Sequence, residues 1–363
     1  MVEKKTKTYE DSLIEDMNSS FGKESTSSAG YLHSSSTAVK RRVSTGSFML
    51  DVVLANAING GMPVGRLIEI SGGEGAGKTL LASYMLADTQ KQGGIGIMID
   101  TEHAASMEVL HSTGVDLQKL IYVQAGCVED VFANIETIIK KISDNKDKPL
   151  ITIVWDSVAA TSSRAEIEGD YDQRTIAMSA RLISQGLRKI IPVISQHNVC
   201  LVFINQLRTK IGGMAFGDNS VTPGGRAIPY HASVRLRLNH FKKLVDPTTK
   251  DEIGKIVQCK VEKNKVAPPM RTIYYYLSWG TKPGAWIDVP ESLWDAGIRS
   301  GVLKKVNNQK YSFTSTSTKK DIELTKKSFA KILDEEEFAS EFKTTLANAY
   351  IITAENIAKT IKG

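Results

Sequence analysis

The sequence predicts an α/β protein. A mainly parallel central sheet is flanked by helices, with an N-terminal helix before it and a small C-terminal α+β domain after it. Three observations predict this. From Val43 onward, short and nearly continuous apolar runs alternate with helical stretches, and strands buried on both faces require such runs. The run Leu67–Ser71 passes through a glycine-rich turn straight into a helical segment. The 363 residues are 41% hydrophobic and 24% charged, a globular composition that excludes pervasive disorder and a disulfide-stapled miniature.

Taken in order, residues 1–42 make a poor core, because ten of the twenty residues from Asn18 to Thr37 are Ser or Thr. Within them Glu10–Phe21 has Leu13 and Ile14 four and three residues before Met17, the spacing of a short amphipathic helix. Such a helix has no core of its own and is expected to dock on another surface. The runs Leu67–Ser71, Ile95–Asp100, Leu120–Gln124, Leu150–Trp155, Cys200–Asn205 and Ser233–Leu238 are the expected core strands, with Ile256–Glu262 a further one. After Tyr274 the pattern weakens: Lys304–Ser317 reads as hairpin-like and Asp321–Gly363 as helices. The expected divisions are therefore 1–42, a core over 43–275, and a small domain over 276–363.

No apolar run approaches the roughly 18 residues of a membrane span, and the Lys- and Ser-rich N-terminus lacks the apolar stretch of a secretory signal. Cys127, Cys200 and Cys259 are widely spaced and read as reduced, buried thiols. A cytoplasmic location is expected. The net charge of +6, from 46 basic and 40 acidic residues, permits polyanion binding without locating it.

The turn after Leu67–Ser71 is Gly72, Gly73, Glu74, Gly75, Ala76, Gly77, Lys78 and Thr79. Glycines let backbone N–H groups converge on phosphate oxygens, and the following helix N-terminus adds positive potential. Lys78 has the position to reach β/γ-phosphates and Thr79 to ligate Mg²⁺. With strand, loop and helix all in place, this is a nucleoside triphosphate site, not a chance glycine turn. A strand ending in an acid is common, but Asp156 after Leu150–Trp155 gains meaning beside this loop, as the second metal-holding group. Glu102, just past Ile95–Asp100, lies where ligands bind in open α/β sheets and is the favoured water-activating base. His103 beside it reads as structural.

Two further segments are long for connectors. One runs from Glu166 to Thr175 and leads into a helix that places Arg181 and Arg188 on one face. The other, Gln206–Arg226, interleaves Arg208, Lys210 and Arg226 with glycines, Met214 and Phe216. That texture suits single-stranded nucleic acid, where cations neutralise phosphates and apolar groups contact bases; a surface loop without function has the same composition. Gln206 stands at the junction of strand and loop, where an amide can sense a γ-phosphate and move the loop. Lys263 and Lys265 point the same way at a strand end, either as a solvated edge or as cations offered to a phosphate of an adjacent subunit.

Together these strings resemble the RecA recombinases from about Phe21 to Thr314. The resemblance lies in Gly65–Thr79, Ile99–Ala104, Asp156–Ala160, Ala165–Gly169, Ser179–Lys189, Phe203–Gly217, Thr222–Leu236 and Lys263–Ala267. It implies a DNA-stimulated ATPase that forms helical filaments on single-stranded DNA and exchanges strands with homologous duplex, with ATP between subunits. It implies P-loop roles for Lys78 and Thr79, a catalytic role for Glu102, a metal role for Asp156 and a nucleotide-to-DNA relay at Gln206. Lys263 and Lys265 become the pair that reaches a neighbour's ATP. Glu168–Ala177 and Arg208–Arg226 become the DNA loops, with Ile176, Arg181, Ser184, Arg188, Arg208, Gly224 and Gly225 at DNA-contact positions. The N-terminal helix matches a segment that docks on the adjoining protomer, with Tyr230 at an aromatic interface position.

The chain also departs from the family pattern. Against the resemblance, Val109 and Ser106 stand at the positions of an adenine-stacking Tyr and its companion Asp, Arg226 stands where the family has Asn, the second loop is about one residue longer, and Lys359–Gly363 stand where bacterial members are expected to carry an acidic tail. These departures suit a phage or otherwise divergent member. A ring-forming DNA motor on the same core, or a nucleotide-binding accessory without turnover, are the alternatives; intact Lys78, Glu102 and Asp156 argue against the second.

Overall fold

The computed structural model describes residues 8–20, 39–143, 148–169, 178–209, 220–280 and 283–353. Helix α1 (Tyr9–Ser20) is followed by β1 (Arg42–Val43), α2 (Phe48–Ala55), β2 (Met62–Pro63), β3 (Arg66–Gly72), α3 (Lys78–Lys91) and β4 (Ile95–Asp100). Next come α4 (Met107–Ser112), β5 (Ile121–Gln124), α5 (Val128–Ser143), β6 (Ile151–Asp156), α6 (Arg164–Glu168) and α7 (Met178–Ile194). β7 (Val199–Gln206), β8 (Arg208–Thr209), β9 (Ser220–Val221) and α8 (Ala227–His231) precede the long strands β10 (Val234–Val245), β11 (Glu252–Asn264) and β12 (Arg271–Trp279). The chain continues through β13 (Ala285–Asp288), α9 (Val289–Ser300), β14 (Lys304–Lys305), β15 (Tyr311–Thr314), β16 (Asp321–Leu324), α10 (Lys326–Ile332) and α11 (Glu336–Tyr350).

Nine strands form the central sheet, in the order β13-β12-β11-β10-β3-β7-β6-β4-β5. From β10 to β5 every neighbouring pair is parallel, as the unbroken apolar runs predict; β10 to β13 extend it in antiparallel fashion. Side chains alternate between the two covered faces. On β7, Cys200, Val202 and Ile204 join the core shared with α2 and α3, while Val199, Leu201 and Phe203 join the core under α5 and α7. All three cysteines are free and buried.

The sheet runs past residue 275, where the apolar pattern weakens. β12 crosses that position and β13 still pairs with it, Tyr276 opposite Asp288. The reason is that Ile273, Tyr275 and Leu277 alternate with less buried residues, the antiparallel pattern in place of a continuous run. Asp288 then caps α9 by accepting the Glu291 amide at 3.1 Å, and α9 leads into an aromatic core of Trp294, Phe313, Phe329, Phe338 and Phe342. Residues 321–324, expected to begin the helical tail, form β16 instead, paired with β15; Leu324 is buried on one side while Asp321 and Glu323 face solvent. Helix α1 forms where expected but buries none of its side chains. Among the described residues no helix is long and apolar enough to cross a membrane.

Candidate functional site

Parallel register decides which residues meet. Gly72 stands opposite Gln206 and Asp100 opposite Asp156, so four strands end along one edge of the sheet, where α/β proteins hold ligands. There the chain turns from β3 into α3. Gly75 and Gly77 take φ of +62° and +86°, and a Cβ on Gly77 would lie 2.6 Å from Leu277 Cδ1; only glycine fits. Lys78 Nζ donates to the Gly73 carbonyl at 2.7 Å. Burial pushes the Lys78 pKa down from its ordinary value, and Asp156, Glu102 and Glu74 counter part of that shift.

The Thr79 hydroxyl donates to Asp156 Oδ2 at 2.6 Å. Burial raises the Asp156 pKa to about 6; the Thr79 bond and Lys78 oppose this, while Glu102 and Asp100 add to it. A buried carboxylate paired with a hydroxyl is a hard-oxygen pair whose chemistry fits Mg²⁺. The peptide bond from Asp156 to Ser157 is cis.

Glu102 Oε1 accepts from the Ser157 hydroxyl and, at 3.0 Å, from the Gln206 side-chain amide. The base candidate and the relay candidate are therefore in direct contact. Asp100, to which the sequence reading gave no role, positions this loop. Its Oδ1 accepts the Glu102 and His103 amides at 2.8 and 2.9 Å. Its Oδ2 accepts the Ala104 and Ala105 amides, both at 3.1 Å, and the Tyr122 hydroxyl at 2.7 Å. The available signal was a buried acid closing a strand just before a turn. His103 has φ +54° in that turn. Ser106 caps α4 by accepting the Val109 amide at 3.3 Å.

The segment after Asp156 ties this edge to a second surface. Arg208 donates to the Ala159 carbonyl at 3.2 Å. It begins β8, which pairs with β9 as the stem of the glycine-rich loop. Gly224 and Gly225, at φ +90° and +71°, close that loop against α8 and α7: a Cβ on Gly224 would meet Ile228 at 2.7 Å and Ile183 at 3.4 Å, and one on Gly225 would meet Ala180 at 3.1 Å. Arg181 and Arg188 are exposed and Ser184 half-buried on that helix, with Arg188 Nε on the Ser184 carbonyl at 3.3 Å. Arg226 is exposed at the start of α8. Ile176 and Lys210 lie outside the described residues.

Lys263 and Lys265 do not face this chain's own P-loop. Lys263 donates to the Pro229 and Tyr230 carbonyls at 2.6 and 3.0 Å, and Lys265 to Tyr230 at 3.5 Å. Both open onto a cavity lined by Gly65, Arg66, Tyr230 and His231 at the amino end of β3, opposite the end that carries the loop. Burial, then Lys265 and Arg235, push the Lys263 pKa down.

Fold and site define a P-loop nucleoside triphosphatase whose catalytic edge is continuous with a cationic, glycine-closed surface. The family model for the RecA N-terminal domain matches residues 8–282. Protein RecA of Rubrobacter xylanophilus is 37% identical over 295 residues, covering 81% of this chain and 80% of that protein. Protein RecA of Brucella canis is 37% identical over 314 residues, covering 86% and 81%. The chain belongs to the RecA family. It is an ATP-binding, DNA-binding recombinase with the DNA-dependent ATPase activity of that family.

Proposed function

We propose that this chain assembles as a helical filament on single-stranded DNA, in the cytoplasm, with ATP and Mg²⁺ between protomers, and pairs that strand with homologous duplex. The P-loop amides and Lys78 would hold the triphosphate, and Thr79 and Asp156 would hold Mg²⁺. When bound, Mg²⁺ supplies charge neutralisation on the phosphate oxygens. Glu102 would take a proton from the attacking water, held in place by the Asp100 clamp. Arg181, Ser184, Arg188, Arg208, Gly224, Gly225 and Arg226 would form the described part of the DNA surface. Lys263 and Lys265, turned away from their own P-loop, would reach an adjacent protomer's nucleotide. Helix α1, which leaves Tyr9, Leu13 and Met17 exposed, would dock on that protomer.

One observation carries the reading: the Gln206 amide donates to Glu102 at 3.0 Å, while the next residues form the stem of the loop. A γ-phosphate that draws Gln206 away from Glu102 would in one movement free the base and shift the DNA loop through its stem. The test is ATP hydrolysis with and without single-stranded DNA, joined to electron microscopy with a slowly hydrolysed ATP analogue. DNA-stimulated turnover and open helices are expected. Unstimulated turnover, or closed hexamers, would overturn the proposal.

A further inference from the structure

The antiparallel strands beyond β10 form a wall beside the P-loop and touch it twice. Leu277 of β12 lies against Gly77. Lys255 of β11 donates its ammonium to the Gly75 carbonyl at 2.9 Å. The same ammonium lies over the Trp279 ring, 5.1 Å from its centroid, and the Trp279 indole N–H is anchored on the Glu252 carbonyl at 2.7 Å. Lys255 is half-buried, and its strand neighbour Lys243 is engaged elsewhere, with Glu252 at 2.7 Å.

We infer that Lys255 is a second P-loop lysine, a positioning residue that braces the crest of the loop from outside and adds a cation for the polyphosphate of the nucleotide. Two physical effects act together. A charged donor on the Gly75 carbonyl polarises that peptide and strengthens its N–H, which belongs to Ala76 and lies in the phosphate-cradling run. The charge itself lies one hydrogen bond from the loop, on the aromatic face of Trp279 that holds it there. The inference rests on triphosphate occupying this P-loop.

Affinity for Mg·ATPγS is the direct readout, measured without DNA by equilibrium dialysis on the full chain. Wild type, Lys255→Met, Lys255→Arg and Lys78→Ala would be compared, with melting temperatures recorded alongside. Lys255→Met is expected to weaken binding about three- to tenfold, the scale of one partly screened charge on a multiply charged ligand. The loss should be smaller for ADP, shrink as salt rises, and be largely restored by Lys255→Arg. In turnover it should appear in KM more than in kcat. Unchanged affinity with a lowered melting temperature would make Lys255 a strand brace only and overturn the inference, as would a salt-independent loss that arginine does not rescue. Failure of the wild type itself to bind, or Lys78→Ala binding as well as wild type, would instead strike at the P-loop reading beneath it.

Discussion

Replacing Asp156 with Asn tests the electrostatics of the catalytic edge. Asp156 is 8% exposed, and its pKa moves from 3.8 to about 6, with burial the largest cause. Between those values the folded chain holds the proton more tightly than the unfolded one. This group's contribution to stability is therefore intact below the unfolded pKa and is lost as pH rises through about 6. The shift corresponds to a penalty of about 3 kcal/mol at neutral pH and above. Asn keeps the shape, still accepts the Thr79 hydroxyl and carries no charge. Asp156→Asn should therefore melt a few degrees above wild type at alkaline pH without metal or nucleotide, with the gap closing towards the acid end, while ATP hydrolysis is lost. Mg²⁺ should raise the wild-type melting temperature and leave the variant unmoved. Scanning calorimetry across pH decides it. A variant no more stable than wild type at high pH, or a gap that does not depend on pH, would refute the burial argument.

Glu102→Gln should slow ATP turnover by at least about a hundredfold, the lower range for losing a general base, while nucleotide-dependent assembly on DNA persists; undiminished turnover would remove Glu102 from the chemistry. Arg208→Ala should weaken single-stranded DNA binding and flatten its salt dependence by about one counterion, read from binding isotherms across salt, with nucleotide affinity in the absence of DNA barely changed. Gly186→Ala places a Cβ 2.3 Å from Phe132 Cδ1. Its cost should be about 1–3 kcal/mol for overpacking between α5 and α7, offset by up to about 1 kcal/mol of helix propensity; a variant as stable as wild type in urea would show that the two helices can part there.

Contiguous features were legible in the sequence. The P-loop is eight adjacent residues whose glycines and lysine carry their own chemistry, and the parallel strands are unbroken apolar runs because helices cover both their faces. Asp156, Glu102 and Gln206 were legible as ends of such runs. Less visible were features that depend on which strand lies beside which. The amphipathic alternation of β12 and the four residues of β16 are too short or too mixed to stand out. Asp100 shows its role only when four amides and Tyr122, twenty-two residues away on a neighbouring strand, converge on it.

By itself the sequence determined the family, through ordered strings of residues, and with it the class of chemistry; the metal-side acid and the base within it are proposals that the same strings suggest. Tertiary structure decided the rest. It put Gln206 on Glu102, turned Lys263 and Lys265 away from their own P-loop, and brought Lys255 across 180 residues of chain to Gly75. The physical reason is that local pattern sets what each segment becomes, whereas strand order and register, settled by packing two faces of one sheet, set which side chains meet.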